Sequence, residues 1–314
     1  MNECPTETRK AFLAGAMDKH AYSKAMHQHH TLLHDYAELI RGTQVARIIV
    51  AEGQVIVVTR DEIQFICDPN DRYIPPLQLL NVGNYEADEK EILLRLVQPG
   101  MNVLDIGANV GWYSLLIAKR LYGCNVYAFE PIPATFSSLK ANVETNGFSN
   151  IRAFNFGISD QDEQIAFYFS PEISGAASGA NILGWDTVGE IVCRVRPLDE
   201  VWRELSVRVD FIKCDVEGAE LFVFRGGMKC IASDHPIILS EMLRKWSAKF
   251  GYHPNEIISL LEGFGYSCYA IAGSRLMHLA RMDERTESTN FVFLHSKNHS
   301  DLITQLAKEN VLQP

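Results

Sequence analysis

The segment Val103-Leu104-Asp105-Ile106-Gly107-Ala108-Asn109-Val110-Gly111 constrains the fold more than any other. An apolar run ends in an acidic residue. A glycine-spaced turn then opens onto 112–120, which reads as a helix. That is the first strand, turn and helix of a nucleotide-binding α/β sheet, in which Gly107 and Gly111 let the backbone turn tightly and approach a ligand. Nineteen residues past Gly111 (130 − 111), Glu130 closes the next apolar run, Asn125-Val126-Tyr127-Ala128-Phe129. A carboxylate there suits hydrogen bonding to both ribose hydroxyls of an adenosine.

Glycine spacing narrows the cofactor. A dinucleotide site needs G-x-G-x-x-G, because the pyrophosphate rests on bare backbone at a helix N-terminus. Here the spacing is Gly107-x-x-x-Gly111, with Asp105 two residues ahead of it. A carboxylate beside the turn repels a pyrophosphate and accepts hydrogen bonds from the cationic amino-acid end of S-adenosylmethionine. The pattern therefore points to a methyltransferase rather than a dehydrogenase. The competing structural reading is a βαβ turn that binds nothing, and the two separate acidic positions weigh against it.

At 314 residues and 47% apolar composition, the chain can bury a full α/β core plus an accessory segment. Its formal charge of −10 argues against broad nucleic-acid binding, and no apolar run is long enough to span a bilayer. The seven cysteines are scattered, odd in number and without a C-x-x-C pair, which suits reduced thiols in a cytoplasmic protein. Arg9-Lys10 followed by 11–17 imitates a leader, but its apolar part is short and is read as helix.

About 8–41 reads as helical, with Met26, Leu33, Tyr36 and Ile40 on one stripe. That stripe needs covering by the main domain or by a second subunit, so a homodimer through this region is one expectation. His27, His30 and His34 share a face, read as solvated or interfacial rather than metal-binding. Extended segments at 45–51, 54–59 and 62–67 form a small antiparallel meander, and Pro75-Pro76 reads as linker. The expected division is 1–80, an accessory helix and meander, and 81–314, a catalytic domain with a lid insertion at about 161–200. In that domain, strands at 102–106, 125–129, 150–156, 209–216, 236–240 and 266–271 alternate with helices, except around the insertion. This implies a mostly parallel sheet wound on both faces. The last strand, 290–295, lacks a full crossover and should pair antiparallel. Ser170–Asn181, rich in glycine and small residues, reads as a mobile connection and substrate lid.

The chemistry-bearing run is Lys213-Cys214-Asp215-Val216-Glu217-Gly218-Ala219-Glu220. A lysine and a carboxylate inside a central parallel strand need pairing, and ligands bind at that strand's C-terminal end. The structural alternative is an ion pair beside a helix N-terminus. Glu241 closes the fifth strand on the same rim. Two or three carboxylates there can orient a nucleophile, take its proton, or hold magnesium. No Asp-Asp or Asp-Asn pair follows that strand, so the metal-free version ranks first. Tyr85 and Glu86, just ahead of the fold, are placed over the methionine end of the cofactor, or else serve as core and helix cap. Gly157, Ile158 and Asp160 are placed around the adenine.

Asp105-Ile106-Gly107-Ala108-Asn109-Val110-Gly111, Phe129-Glu130-Pro131, Gly157-Ile158-Ser159-Asp160, Pro197-Leu198-Asp199-Glu200, the Lys213–Glu220 run and Ile238-Leu239-Ser240-Glu241 occur in one order. Together they resemble FkbM-type S-adenosylmethionine-dependent methyltransferases over about 83–295. The resemblance implies a Rossmann-like class I methyltransferase sheet and methylation of hydroxyl oxygens of sugars, glycans or secondary metabolites, with carboxyl acceptors ranking behind. It carries Asp105, Gly107, Asn109, Gly111 and Glu130 onto cofactor positions, with Ala108 and Pro131 beside them. It carries Lys213, Asp215, Glu217 and Glu241 onto the polar rim. A nicotinamide-dependent dehydrogenase and a non-catalytic cofactor-binding module stay as alternatives.

Overall fold

The computed structural model describes residues 4–170, 172–180 and 189–311, with backbone only at 173–176 and 307–311. The chain opens with α1 (Pro5–Leu13) and α2 (Lys19–Leu39) rather than one continuous helix. Gly15, at φ +73°, breaks it. Asp18 restarts it by accepting the His20 and Ala21 N–H groups at 2.8 and 2.9 Å. An antiparallel three-stranded sheet follows, β1 (Val45–Ala51), β2 (Gln54–Thr59) and β3 (Gln64–Ile66). Pro75 and Pro76 are not linker. They occupy the first turn of α3 (Pro75–Val82), where a missing N–H removes no helical hydrogen bond. Next is α4 (Ala87–Leu96).

The βαβ units begin with β4 (Asn102–Ile106), α5 (Trp112–Arg120), β5 (Asn125–Phe129), α6 (Pro133–Asn146) and β6 (Ile151–Phe154). The third strand is shorter than its apolar run. After Phe154 the chain leaves the main sheet, and β7 (Gly157–Ser159) joins β8 (Glu163–Ser170), β9 (Ile173–Ser178) and β10 (Gly189–Pro197) in a second sheet of order β7-β10-β8-β9. The stretch expected to be irregular thus contains a strand. Pairing of Tyr168 with Ser178 and of Ser170 with Ile173 outweighs the poor strand propensity of its small residues. Pro171 and residues 181–188, including Asn181, lie outside the described residues. The chain continues through α7 (Leu198–Leu205), β11 (Phe211–Cys214), α8 (Glu220–Gly226), α9 (Met228–Asp234), β12 (Ile237–Glu241), α10 (Arg244–Ser247) and α11 (Asn255–Glu262). It ends with the hairpin β13 (Tyr266–Ala272) and β14 (Arg275–His278), then β15 (Asn290–His295) and α12 (Ser300–Val311).

The main sheet has the order β14-β13-β15-β12-β11-β4-β5-β6. From β6 to β12 neighbours are parallel, and β15 runs antiparallel between β12 and β13. That is the class I methyltransferase arrangement. Strand alternation splits the core into two layers. Val103, Phe211 and Leu239 pack toward Trp112 and Leu115, while Leu104, Ile212 and Ile238 pack toward Leu221 and Phe224. Two polar residues interrupt the first face. Parallel register sets Asp105 beside Lys213.

The chain order reverses at β4, whose neighbours are β5 and β11, so a crevice opens beyond their C-terminal ends. Gly107 makes the closest approach there. At φ +78°, a Cβ on it would lie 1.8 Å from the Asp215 carbonyl oxygen. Gly100 has φ +85° but open space around it. Gly107→Ala should therefore cost about 3 kcal/mol or more in urea denaturation, and Gly100→Ala about 1 kcal/mol. Equal losses would show that the strand crossing tolerates the added methyl group.

Candidate functional site

The C-terminal ends of β4, β5, β11 and β12 surround a cavity of about 170 Å³. Gly107, Ala108 and Asn109 follow β4, and Glu130, Pro131 and Ile132 follow β5. Lys213, Asp215, Val216 and Glu217 come from β11 and its loop, and Glu241 ends β12. Tyr85, Glu86, Trp112, Tyr113 and Trp246 complete the wall, with Pro75 of α3 and with Phe167 and Ala177 of the second sheet. An adjoining cavity of about 290 Å³ shares Gly107, Pro131, Phe167 and Val216 with the first. Gly157, Ile158 and Asp160 line it, facing Phe222 and Phe250. One crevice therefore runs past the glycine turn.

Glu130 is fixed by backbone on both oxygens. Ile132 N–H donates to Oε1 at 2.9 Å, and Asn109 N–H donates to Oε2 at 3.1 Å. Asn109 reaches it from the left-handed region, at φ +49°. Burial pushes the Glu130 carboxyl up to about 7.

Two expected cofactor residues stand elsewhere. Asp105 is wholly buried behind the cavity wall rather than on it. Its Oδ2 accepts the Ser114 hydroxyl at 2.6 Å, and its Oδ1 lies 3.7 Å from Lys213 Nζ. It lies beside Lys213, because parallel register points both side chains to the α5 face. Gly111 also lies off the cavity. A Cβ there would come within 2.7 Å of Leu139, so this glycine serves the packing of α5 on α6.

Lys213 is the one cation lining the cavity among the described residues. Its Nζ lies 3.3 Å from Asp215 Oδ2, donates to the Gly107 carbonyl at 3.1 Å, and sits 5.3 Å from the centre of the Tyr113 ring. Burial pulls the ammonium down. Asp215, Asp105 and Glu86 outweigh that and leave it above its ordinary value. Lys213 is buried and multiply bonded, as a desolvated charge requires.

Asp215, Glu217 and Glu241 converge, with one oxygen of each within 4.8 Å of the others. Among the described residues no other three His, Cys, Asp or Glu side chains meet this closely, the α2 histidines included. Asp215 Oδ1 and Glu217 Oε2 are buried without hydrogen-bond partners. Burial, then the charges of Asp215 and Glu241, drives Glu217 well up. Burial, then Asp215, Glu220 and Glu86, pushes Glu241 up to about 10. Glu86 is also raised, chiefly by burial, and its Oε2 accepts the Tyr113 hydroxyl at 2.5 Å. Tyr85 packs edge-on against Trp112, at 5.3 Å between centroids.

Glu220 shapes the loop that carries this cluster. Its Oε1 accepts the Val216 and Gly218 N–H groups at 3.2 and 3.0 Å, and its Oε2 lies 3.2 Å from the Tyr252 hydroxyl. Gly218, at φ +101°, leaves no room for a Cβ against Trp246. From the second sheet, the Ser178 hydroxyl donates to the Glu217 carbonyl at 2.8 Å. Phe167, Ala177, Trp246 and Pro75 reach the cavity only through tertiary packing. Trp112 and Tyr113, by contrast, directly follow the glycine motif in sequence.

The model of the methyltransferase FkbM domain matches residues 105–268, just over half of the chain. The chain belongs to the FkbM methyltransferase family. It is 29% identical over 246 residues to the AMB antimetabolite synthetase AmbE of Pseudomonas aeruginosa, covering 60% of this chain and 11% of that protein. It is 27% identical over 178 residues to the hexuronic acid methyltransferase AglP of Haloferax volcanii, covering 56% of this chain and 68% of the relative. It is 26% identical over 202 residues to the 31-O-demethyl-FK506 methyltransferase FkbM of Streptomyces tacrolimicus, covering 55% and 75%. Among the described residues no helix is long and apolar enough to cross a membrane.

The crowded carboxyls of this FkbM-family crevice have a thermodynamic consequence. A carboxyl with an ordinary value of 4.5 that sits near 10 when folded binds more protons folded than unfolded between those values. Its contribution to stability falls as pH rises through that window. Glu241→Gln should therefore stabilise the cofactor-free protein by about 2 kcal/mol near pH 8 and by under about 1 kcal/mol near pH 5. Thermal unfolding at the two pH values checks this, and a destabilised variant at pH 8 would contradict it.

Proposed function

We propose that the chain moves a methyl group from S-adenosylmethionine to a hydroxyl oxygen of an uncharged or amine-bearing small molecule or glycan. The observation that carries this reading is that Glu130, at the end of β5, and the Asp215–Glu217–Glu241 cluster, at the ends of β11 and β12, line one crevice together with Lys213. The donor set suits the cofactor. Each Glu130 oxygen has one protein donor and lone pairs to spare for a ribose diol. The acidic wall suits a sulfonium and an ammonium. The adjoining cavity, with Gly157, Ile158 and Asp160, suits a flat base.

When bound, S-adenosylmethionine supplies an electrophilic methyl group. The protein has to align the acceptor oxygen, exclude water and take one proton. Glu241, pushed up to about 10, keeps its proton near neutrality and donates a hydrogen bond to an acceptor oxygen, with Glu217, also driven up by burial, beside it. Asp215 has the free Oδ1 and accepts the hydroxyl proton. Lys213 holds Asp215 in place and offsets its charge, so the step needs no metal. The insertion carrying Phe167 and Ala177 caps the cavity as a lid and keeps water out. Oxygen as the methylated atom agrees with the name of the Streptomyces relative.

Electrostatics select the acceptor. Among the described residues lining the first cavity, Lys213 is the one cation beside the carboxyl groups of Glu86, Glu130, Asp215, Glu217 and Glu241. A carboxylate-bearing acceptor, of the kind named for the Haloferax relative, would find that one cation already bound to two carboxylates.

Glu130→Ala should weaken S-adenosylhomocysteine binding by about 100-fold in calorimetry, as expected for loss of a charge-assisted pair of hydrogen bonds. In the wild type, ribose hydroxyls donate best to ionised Glu130. Affinity should therefore rise about tenfold from about pH 6 to pH 8, around its value near 7. A flat profile with unchanged affinity in the variant would remove the ribose assignment.

Asp215→Asn should lower turnover by about 10²- to 10⁴-fold and leave cofactor affinity within about threefold. The readout is S-adenosylhomocysteine release across matched neutral, amine-bearing and carboxylate-bearing glycosides. Preference for the carboxylate glycoside, or full activity in the variant, would overturn the assignment of the rim.

A further inference from the structure

The second half of α2 has no cover. No residue of this 21-residue helix is buried, and every position from His30 to Leu39 is exposed. Leu32, Leu33, Tyr36 and Leu39 are 54, 63, 45 and 50% exposed. Beside them runs a groove of about 680 Å³, walled by Ile40, Ile48 and Val55. α1 shields only the first half, through a Phe12–Tyr22 ring stack at 4.3 Å and a Thr8–His29 contact at 3.4 Å. An isolated helix of this length is marginal in water, so tertiary or quaternary packing has to supply its stability.

The open face has a pattern that only one kind of partner completes. Ala21, Ala25, Gln28, Leu32, Tyr36 and Leu39 follow one another at steps of four or three residues and form a single seam. Two alanines start the seam, Gln28 stands near its middle, and large apolar side chains fill its second half. A parallel mate would set large against large. An antiparallel copy turned about His30 sets Leu39 against Ala21 and Tyr36 near Ala25. Charge follows the same symmetry. Lys24 and Asp35 are eleven residues apart (35 − 24), about three turns, and so lie on one flank of the seam. The same rotation puts Lys24 of each copy opposite Asp35 of the other.

We propose that two copies of this chain associate through an antiparallel α2–α2 seam, closed at both ends by Lys24–Asp35 pairs. A two-fold interface is self-complementary, and a helix that is small and basic at one end and large and acidic at the other meets that condition. The seam lies on the accessory region and leaves both crevices untouched, so the proposal stands apart from the catalytic reading. Asp35 and Glu38 on the uncovered half also set this face against an anionic membrane surface.

The test is sedimentation equilibrium on the full chain. The wild type should be a dimer at about 10 µM, and Leu32→Asp should raise the dissociation constant at least about 100-fold with an unchanged far-ultraviolet spectrum. Lys24→Glu and Asp35→Lys should each weaken the dimer by about three- to tenfold, and the double exchange should restore it. A monomeric wild type at about 100 µM overturns the proposal. So does a dimer indifferent to Leu32→Asp, an exchange that fails to rescue, or a monomer that cosediments with phosphatidylserine vesicles.

Discussion

The crevice depends on one buried ammonium. Lys213 occupies a central parallel strand where an apolar side chain is the norm, and it survives there because β4 brings Asp105 alongside and the strand end brings Asp215. Its hydrogen bond to the Gly107 carbonyl ties it to the glycine turn. The two strands that meet at the switch point are therefore joined by charge as well as by the ladder. Asp105 acts through Lys213, which acts on Asp215. The acidic residue most visible in the glycine motif thus stands behind the cavity wall.

Around that cation the protein crowds carboxyl groups. Glu86, Glu130, Glu217, Glu220 and Glu241 all stand above the ordinary carboxyl value, with burial the largest cause each time. Such a site stores free energy that a cationic ligand releases, because a nearby positive charge favours the ionised forms. Stability of the empty protein and affinity for a cation are thus opposed through the same side chains. Glu220 limits the damage: its carboxylate satisfies the Val216 and Gly218 amides and keeps the acidic loop in one shape.

The insertion after β6 builds a second sheet that reaches the cavity. β7 and β10 pair in parallel, and β8 and β9 extend the sheet toward the cavity, where Phe167 and Ala177 form part of the wall. The Ser178 hydroxyl bond to the Glu217 carbonyl links this sheet to the carboxylate cluster. Any displacement of β9 therefore reaches the loop on which Asp215 and Glu217 stand.

Periodicity and the glycine turn determined the βαβ alternation, the antiparallel β15 and the rim residues Lys213, Asp215, Glu217 and Glu241, because each depends on local spacing along one strand or turn. The break between α1 and α2 at Gly15 was legible too, in the Asp18 cap, though the apolar stripe masks it. Tertiary structure alone decided that Asp105 faces Lys213 rather than the cavity, since cross-strand register is not written in either strand. It also decided that Ile173–Ser178 pairs as a strand, and that Phe167, Ala177 and Trp246 wall the crevice. These residues carry no local pattern, and what they touch is set by how distant elements pack.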